Sequence, residues 1–371
     1  MNRSQSPSAD VRLPKAFHLL TALIAAYLAF CTAVLNEITA FVAVLLLVPF
    51  CLVLLRSRFL AVLVGLPALL GFFTYSSFIP TVTVIAPLFA IALGATAWLH
   101  KARLWGIFGW LAAGIAASLI RATALYAIPV IFFGICAAAL ALALAKGWRR
   151  TSTICAISAL LLVGIVGLVF VLLRVSSLSL SDFIGQIREL MAESFLENAA
   201  MLEESIRVQM TRELFDGAFD EMLVTLPAVL LLSVSLFAFF AHLLALKICT
   251  LSGYIRKIPD IARIFLLSPV TAIVYIISFI LMIAVPFVAD DAAILSLTAQ
   301  NLTLILTPPL AFVGWLGIYS FLAKTPGCLN IWILLGIVVV LFYTRGIGVY
   351  AMTFLGVYLT FRANKRRKAD V

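Results

Sequence analysis

Long apolar runs, each cut off by a charged or turn-forming residue, fill the chain from end to end. They fall at Phe17–Leu35, Ile38–Leu55, Phe59–Phe78, Pro80–Leu99, Leu104–Ile120, Ala122–Ala145 and Ser152–Leu173, then at Met222–Leu246, Ile264–Val288, Ile294–Leu322 and Asn330–Phe361. A helix of about 20 residues crosses the ~30 Å hydrocarbon core of a bilayer, whereas the strands of an outer-membrane barrel are alternating segments of about 10. The pattern predicts an all-α, polytopic transmembrane helix bundle of about 10 to 12 spans. No small-residue cleavage site follows the first run, and further spans come almost without a gap, so it reads as a span rather than a cleaved signal. Arg345 and two glycines interrupt the last run. Two short helices meeting at Arg345–Gly348 are expected there, because a single span would carry the basic tail to the opposite side.

One segment departs from this pattern. In "SDFIGQIRELMAESFLENAAMLEESIRVQMTRELFDGAFDE", Ser181 to Glu221, the residues Phe183, Ile184, Ile187, Leu190, Met191 and Phe195 recur every three or four positions among polar ones. That spacing predicts an amphipathic helix or helix pair lying outside the bilayer, with Ser179 or Ser181 as N-cap. The chain thus divides into a cytoplasmic segment 1–16, an N-terminal bundle 17–173, the amphipathic segment 174–221, a C-terminal bundle 222–361 and a basic tail 362–371.

Composition agrees with the pattern. Hydrophobic residues make up 64% and charged residues 11% of 371 residues, with a mean hydropathy of +1.19, which excludes a soluble domain and makes the lipid bilayer the first partner. Charge then adds orientation. With the N-terminus cytoplasmic, the loops on that side carry Arg56 and Arg58, Lys101 and Arg103, Lys146, Arg149 and Arg150, Lys247, Arg256, Lys257 and Arg263, Lys324 and the tail "RANKRRK". All eight lysines fall on this one side, as the positive-inside rule requires. Both termini are therefore expected in the cytoplasm, in a multi-pass protein of the cell membrane. Ten of the sixteen acidic residues sit in Ser181–Glu221, expected outside, away from the anionic inner leaflet. The leaflet and an acidic protein partner are the candidates for the basic loops; no nucleic acid is expected.

Chemistry is sparse. His18, His100 and His242 are far apart and pair with no carboxylate at ligand spacing, and Cys31, Cys51, Cys136, Cys155, Cys249 and Cys328 form no C-x-x-C. Each histidine reads as an interfacial or helix-buried imidazole and the cysteines as small hydrophobes. With no phosphate-binding loop, no nucleophile elbow and no H-E-x-x-H, no catalytic residue, metal site or cofactor is expected and the chain does not read as an enzyme. No Asp or Glu lies well inside a span, and Arg121 and Arg345 stand near the outer boundary. Prolines say more: Pro49, Pro67, Pro87, Pro129, Pro286 and the pair Pro308–Pro309 fall in or near spans, where each frees a backbone carbonyl. Broken helices line many transporter sites, although kinked packing helices are commoner. Gln300, Asn301, Pro308, Pro309, Asp290 and Asp291 frame the candidate ligand-facing group, against the simpler reading that they cap a helix entrance. Ala137, Ala141 and Ala145 in "CAAALALALAK" form a small-residue face suited to close docking, inside the bundle or against a partner.

The order "LVTLPAVLLLSVSLFAFFAHLLALKI", "RKIPDIARIFLLSP", "AQNLTLILTPPLAFVGWLGIYSFLAK" and "FLGVYLTFRANKRR" resembles the YybS-like family of membrane proteins of Gram-positive bacteria, from about Leu180 to the end. Pro227, Asn301, Gly356, Phe361 and Arg362 stand at that family's positions. Val313–Gly314, where members carry Gln-Gly, and Leu359 with Thr360, where they carry acidic residues, depart from it. The family looks distantly like the substrate-capture subunits of energy-coupling-factor transporters, which implies small-molecule capture or translocation with a membrane or cytoplasmic protein partner. An envelope scaffold or assembly factor is the alternative, and an intramembrane enzyme a third.

Overall fold

The computed structural model describes residues 15–73, 75–100, 103–200, 211–253, 267–288, 293–322 and 346–369. Among them are twelve α-helices and no strand: α1 Lys15–Ala33, α2 Glu37–Val53, α3 Arg58–Phe73, α4 Tyr75–Leu99, α5 Arg103–Ile120, α6 Ala127–Ala145, α7 Arg150–Ser176, α8 Leu180–Ala200, α9 Arg212–Leu251, α10 Pro269–Val288, α11 Ala293–Leu322 and α12 Gly346–Ala369. Stretches of α4, α6, α7, α9 and α11 are long and apolar enough to cross a membrane, and α1, α2, α5 and α10 are shorter apolar helices. The protein is a helical membrane bundle. Residues 330–345 of the region where a hairpin is expected lie outside the described residues; α12 begins at Gly346 and runs on into the basic tail.

Two compact units share these helices. One holds Met1–Leu172 with Val234–Ile264, the other Leu173–Ser233 with Phe265–Val371. The single helix α9 contributes to both.

In the first unit α4 is the central element. Phe89, Ala90, Ile91, Ala92, Leu93 and Ala95 are all buried, so no face of this stretch meets solvent or lipid, which is why its sequence is apolar all round. Small residues make room around it. The Trp110 indole of α5 lies in a slot lined by Gly94 and Gly134, where an added Cβ would sit 3.1 Å from the ring at either position. Turn chemistry sets the hairpins. Asn36 caps α2 by accepting from the Thr39 N–H at 2.8 Å, and the Thr39 hydroxyl accepts in return from the Asn36 N–H at 3.1 Å. The outward side of α5 presents Leu104, Trp105, Phe108, Leu111, Ile115 and Leu119, an apolar face suited to lipid.

The second unit holds the amphipathic segment, and α8 is one of its helices. Ser179 caps it by accepting from the Asp182 N–H at 3.1 Å. Ala192 of α8 joins Phe215 and Phe219 of α9 in a small core, with Ile184, Ile187, Phe195 and Leu223 around it. Arg212 binds both oxygens of Glu189, at 3.0 and 2.5 Å, and Arg188 pairs with Asp220 while lying over the Phe219 ring at 4.9 Å. At 40 residues α9 is about 60 Å long, twice the hydrocarbon thickness, so its N-terminal part can stand outside the bilayer beside α8.

Candidate functional site

In the second unit α10, α11 and α12 pack around a small core of Ala272, Tyr275, Leu310 and Val357. Its packing is aromatic on one side: Phe279 lies 5.2 Å from Phe354, edge to face, and 5.6 Å from Tyr350, while Tyr275 meets Phe354 at 6.0 Å. On the other side it is polar. Tyr275 is 0% exposed, and its hydroxyl lies among those of Thr307 and Thr353, the side-chain hydrogen-bonding groups within its reach. Thr303, one turn before Thr307 on the same face of α11, is also buried with its hydroxyl unpartnered. The Thr307 hydroxyl donates to the Thr303 carbonyl at 2.7 Å, and that of Thr353 to the Val349 carbonyl at 2.7 Å.

Proline explains why these groups gather here. Pro308 and Pro309 lie inside α11, and lacking N–H groups they leave the carbonyls of Leu304 and Ile305 out of the helical ladder. Just beyond them, Gly314 and Gly356 let α11 and α12 touch backbone to backbone: a Cβ at Gly314 would collide with the Met352 carbonyl oxygen, and one at Gly356 with that of Leu310. The result is a seam with buried hydroxyls, weakened backbone pairing and no charged group among its named residues. It can hydrogen-bond a neutral polar group as donor or acceptor; it offers no nucleophile–base pair.

Of the residues expected to form the site, only part converge. Pro308 and Pro309 adjoin the seam. Asn301 precedes Thr303 by two residues and so lies on a different face of α11 from the seam, where its amide donates to the Val224 carbonyl at 3.1 Å and to that of Leu297 at 2.9 Å, while its oxygen is buried and unpartnered. Val224 is next to the carbonyl of Leu223 that Pro227 frees, so this bond ties α11 to the turn before the proline of α9. Gln300 is exposed. Asp290 and Asp291 lie outside the described residues. Tyr275, Thr303, Thr307 and Thr353 were missed; the signal available was the Thr-xxx-Thr step directly before the proline pair.

Two further features of the first unit bear on the sequence reading. Ala137 and Ala141 are buried inside the unit, Ala137 so tightly that a Cβ on Gly94 would lie 2.9 Å from its own, while Ala145 is exposed. That much of the small-residue face is filled by the bundle itself. Isolated imidazoles were expected, but His18 and His100 stack with ring centroids 3.8 Å apart, and His100 Nε2 lies 2.8 Å from the Ser252 hydroxyl. Burial, with His18 beside it, lowers the His100 imidazole to about 4, which keeps it neutral at physiological pH. Among the described residues no group of three His, Cys, Asp or Glu side chains can hold a metal ion.

Residues 66–358 match the model of a family described as predicted membrane protein (DUF2232). That is well over half of the chain, and the chain belongs to this family. No curated protein and no solved structure matches it.

Proposed function

We propose that this member of the predicted membrane protein family DUF2232 captures a small, neutral, hydrogen-bonding molecule, or helps to move one, together with a protein partner. What supports the reading is the seam of α10, α11 and α12, where the buried Thr303 hydroxyl is left without a partner and that of Tyr275 meets only other hydroxyls, beside a proline-broken helix. Such groups are costly to bury unpaired and are relieved by a ligand that supplies the missing bonds. The likeness to YybS-like proteins, and through them to energy-coupling-factor capture subunits, points the same way. In this reading the protein lies in the cell membrane with both termini cytoplasmic and is not itself an enzyme. An envelope scaffold is the second reading, favoured by the paired hairpin of α8 and α9, which offers a folded acidic surface.

Thermal-shift screening of the purified protein against vitamins, nucleobases and amino acids tests capture. A stabilising compound is expected, and Tyr275→Phe, which removes one hydroxyl and little volume, should weaken it roughly fivefold or more. Thr303→Val should act in the same direction. A folded protein that responds to none of these compounds, or to one equally well in both variants, defeats the reading and favours the scaffold.

A further inference from the structure

The four hydroxyls of the seam differ in what their hydrogens already do. A hydroxyl has one hydrogen and two lone pairs, so once its hydrogen is engaged it faces a ligand as an acceptor. Thr307 gives its hydrogen to the Thr303 carbonyl at 2.7 Å, and Thr353 gives its own to the Val349 carbonyl at 2.7 Å, each within its own helix. The Thr307 carbonyl, 3.5 Å from the Thr353 hydroxyl, competes for that same hydrogen. Tyr275 of α10 lies among the two threonine hydroxyls and can donate to either oxygen. Thr303 alone of the four keeps a free hydrogen: the residue is 3% exposed and its hydroxyl has no partner.

Lone pairs are therefore in surplus. Each of the four oxygens retains at least one, and Pro308 and Pro309 add the carbonyls of Leu304 and Ile305 from the turn between Thr303 and Thr307. Hydrogen-bond donors answer such a surplus, whereas a ligand carrying only acceptors would set oxygen against oxygen and leave both unpaired. An ionised group is disfavoured as well, because none of the four side chains is charged at neutral pH to offset its desolvation. Spacing narrows the choice further. Thr303 and Thr307 lie on one face of α11, about 6 Å apart along its axis. The two ends of a planar amide, each adding a hydrogen bond of about 2.9 Å, reach across that interval.

We propose, resting on the capture reading, that the seam takes its ligand by N–H groups: a neutral molecule with an N–H2 group beside one acceptor atom, the edge of a primary carboxamide. The N–H2 group donates to the oxygens around Tyr275 and Thr307, and the acceptor receives the free hydrogen of Thr303.

The test melts the purified full-length protein with three probes built on one ring, at a mildly alkaline pH that keeps all three uncharged. Nicotinamide carries N–H2 and carbonyl, 3-aminopyridine the N–H2 alone, and methyl nicotinate the carbonyl alone. Nicotinamide should stabilise most and 3-aminopyridine less, with methyl nicotinate at least roughly tenfold weaker than nicotinamide. Thr303→Val should weaken nicotinamide roughly fivefold and leave 3-aminopyridine unchanged, while Tyr275→Phe should weaken both. Methyl nicotinate binding as tightly as nicotinamide overturns the proposal and leaves capture standing. So does an equal loss of nicotinamide and 3-aminopyridine in Thr303→Val. The comparison of the three probes in the wild type holds whether or not a variant folds. Should no probe bind but a compound of the wider screen does, its N-methylated form is tested instead, and undiminished binding of that form overturns the proposal alone. A folded protein that binds none of these compounds removes the capture reading and the proposal together.

Discussion

Gly356 shows how much one missing methyl group decides. A Cβ there would meet the Leu310 carbonyl oxygen, a backbone atom that cannot rotate aside, and Gly314 faces the Met352 carbonyl in the same way. Gly356→Ala must push α12 off α11 and should cost about 1–3 kcal/mol, as overpacking does, read as a lower melting temperature in detergent. Gly185→Ala on α8, where an added Cβ meets nothing, should instead be neutral or slightly stabilising through helix propensity. Equal effects at both positions would mean that the two helices do not cross at Gly356. At this scale the sequence was partly legible: Gly356 and Asn301 stood out, and each makes or permits an interhelical contact, while the paired prolines free carbonyls within α11. Tyr275 did not, because a tyrosine in an apolar run reads equally well as interfacial, and only its neighbours on other helices reveal its burial. The His18–His100 stack was hidden for the same reason.

At the scale of elements, the periodicity of Ile184, Ile187 and Phe195 gave α8 its buried face, and the spacing of Phe215, Phe219 and Leu223 gives its partner on α9. The boundary drawn at residue 222 followed a change in polarity. The helix does not stop there, since nothing between Thr211 and Pro227 breaks it, and α9 runs as one helix from polar surface into apolar span. Between α8 and α9 the Glu189–Arg212 pair is exposed, so it contributes to register more than to stability. The hydrogen bonds and charge of Arg212 hold the Glu189 carboxyl below its usual value. A depressed folded value means that the contribution is present at neutral pH and is lost as pH falls through the acid range below that of an ordinary carboxylate. Spin labels on Glu197 and Glu213, read by their separation, should show the hairpin loosening on acidification in that window. Glu189→Gln should be looser at neutral pH, and its pH response smaller. Matching titrations in the two proteins would show that the pair does not hold the hairpin.

For the molecule as a whole, run lengths alone revealed the fold class, because a bilayer admits few alternatives to helices. The division into units was not legible. Val234–Ile264 groups with the N-terminal helices through contacts such as His100 with Ser252 and the Thr96 hydroxyl with the Cys249 sulfur at 3.6 Å, and no local pattern announces those. Orientation rests on charge, and α7 offers a sharp test of it. Its 27 residues extend about 40 Å, enough to cross the bilayer once, with Lys146 just before it and the acidic α8 after it. In a background with Cys31, Cys51, Cys136, Cys155, Cys249 and Cys328 replaced by alanine, a membrane-impermeant maleimide added to intact cells should label Glu197→Cys and spare Lys146→Cys until the membrane is opened. Both positions have exposed side chains, so failure to label reports the membrane rather than burial. The reverse pattern would invert the orientation and put the basic loops outside, against the positive-inside rule. Equal labelling of the two would show that α7 does not span, and the amphipathic hairpin would then lie on the same side as the basic turn before it.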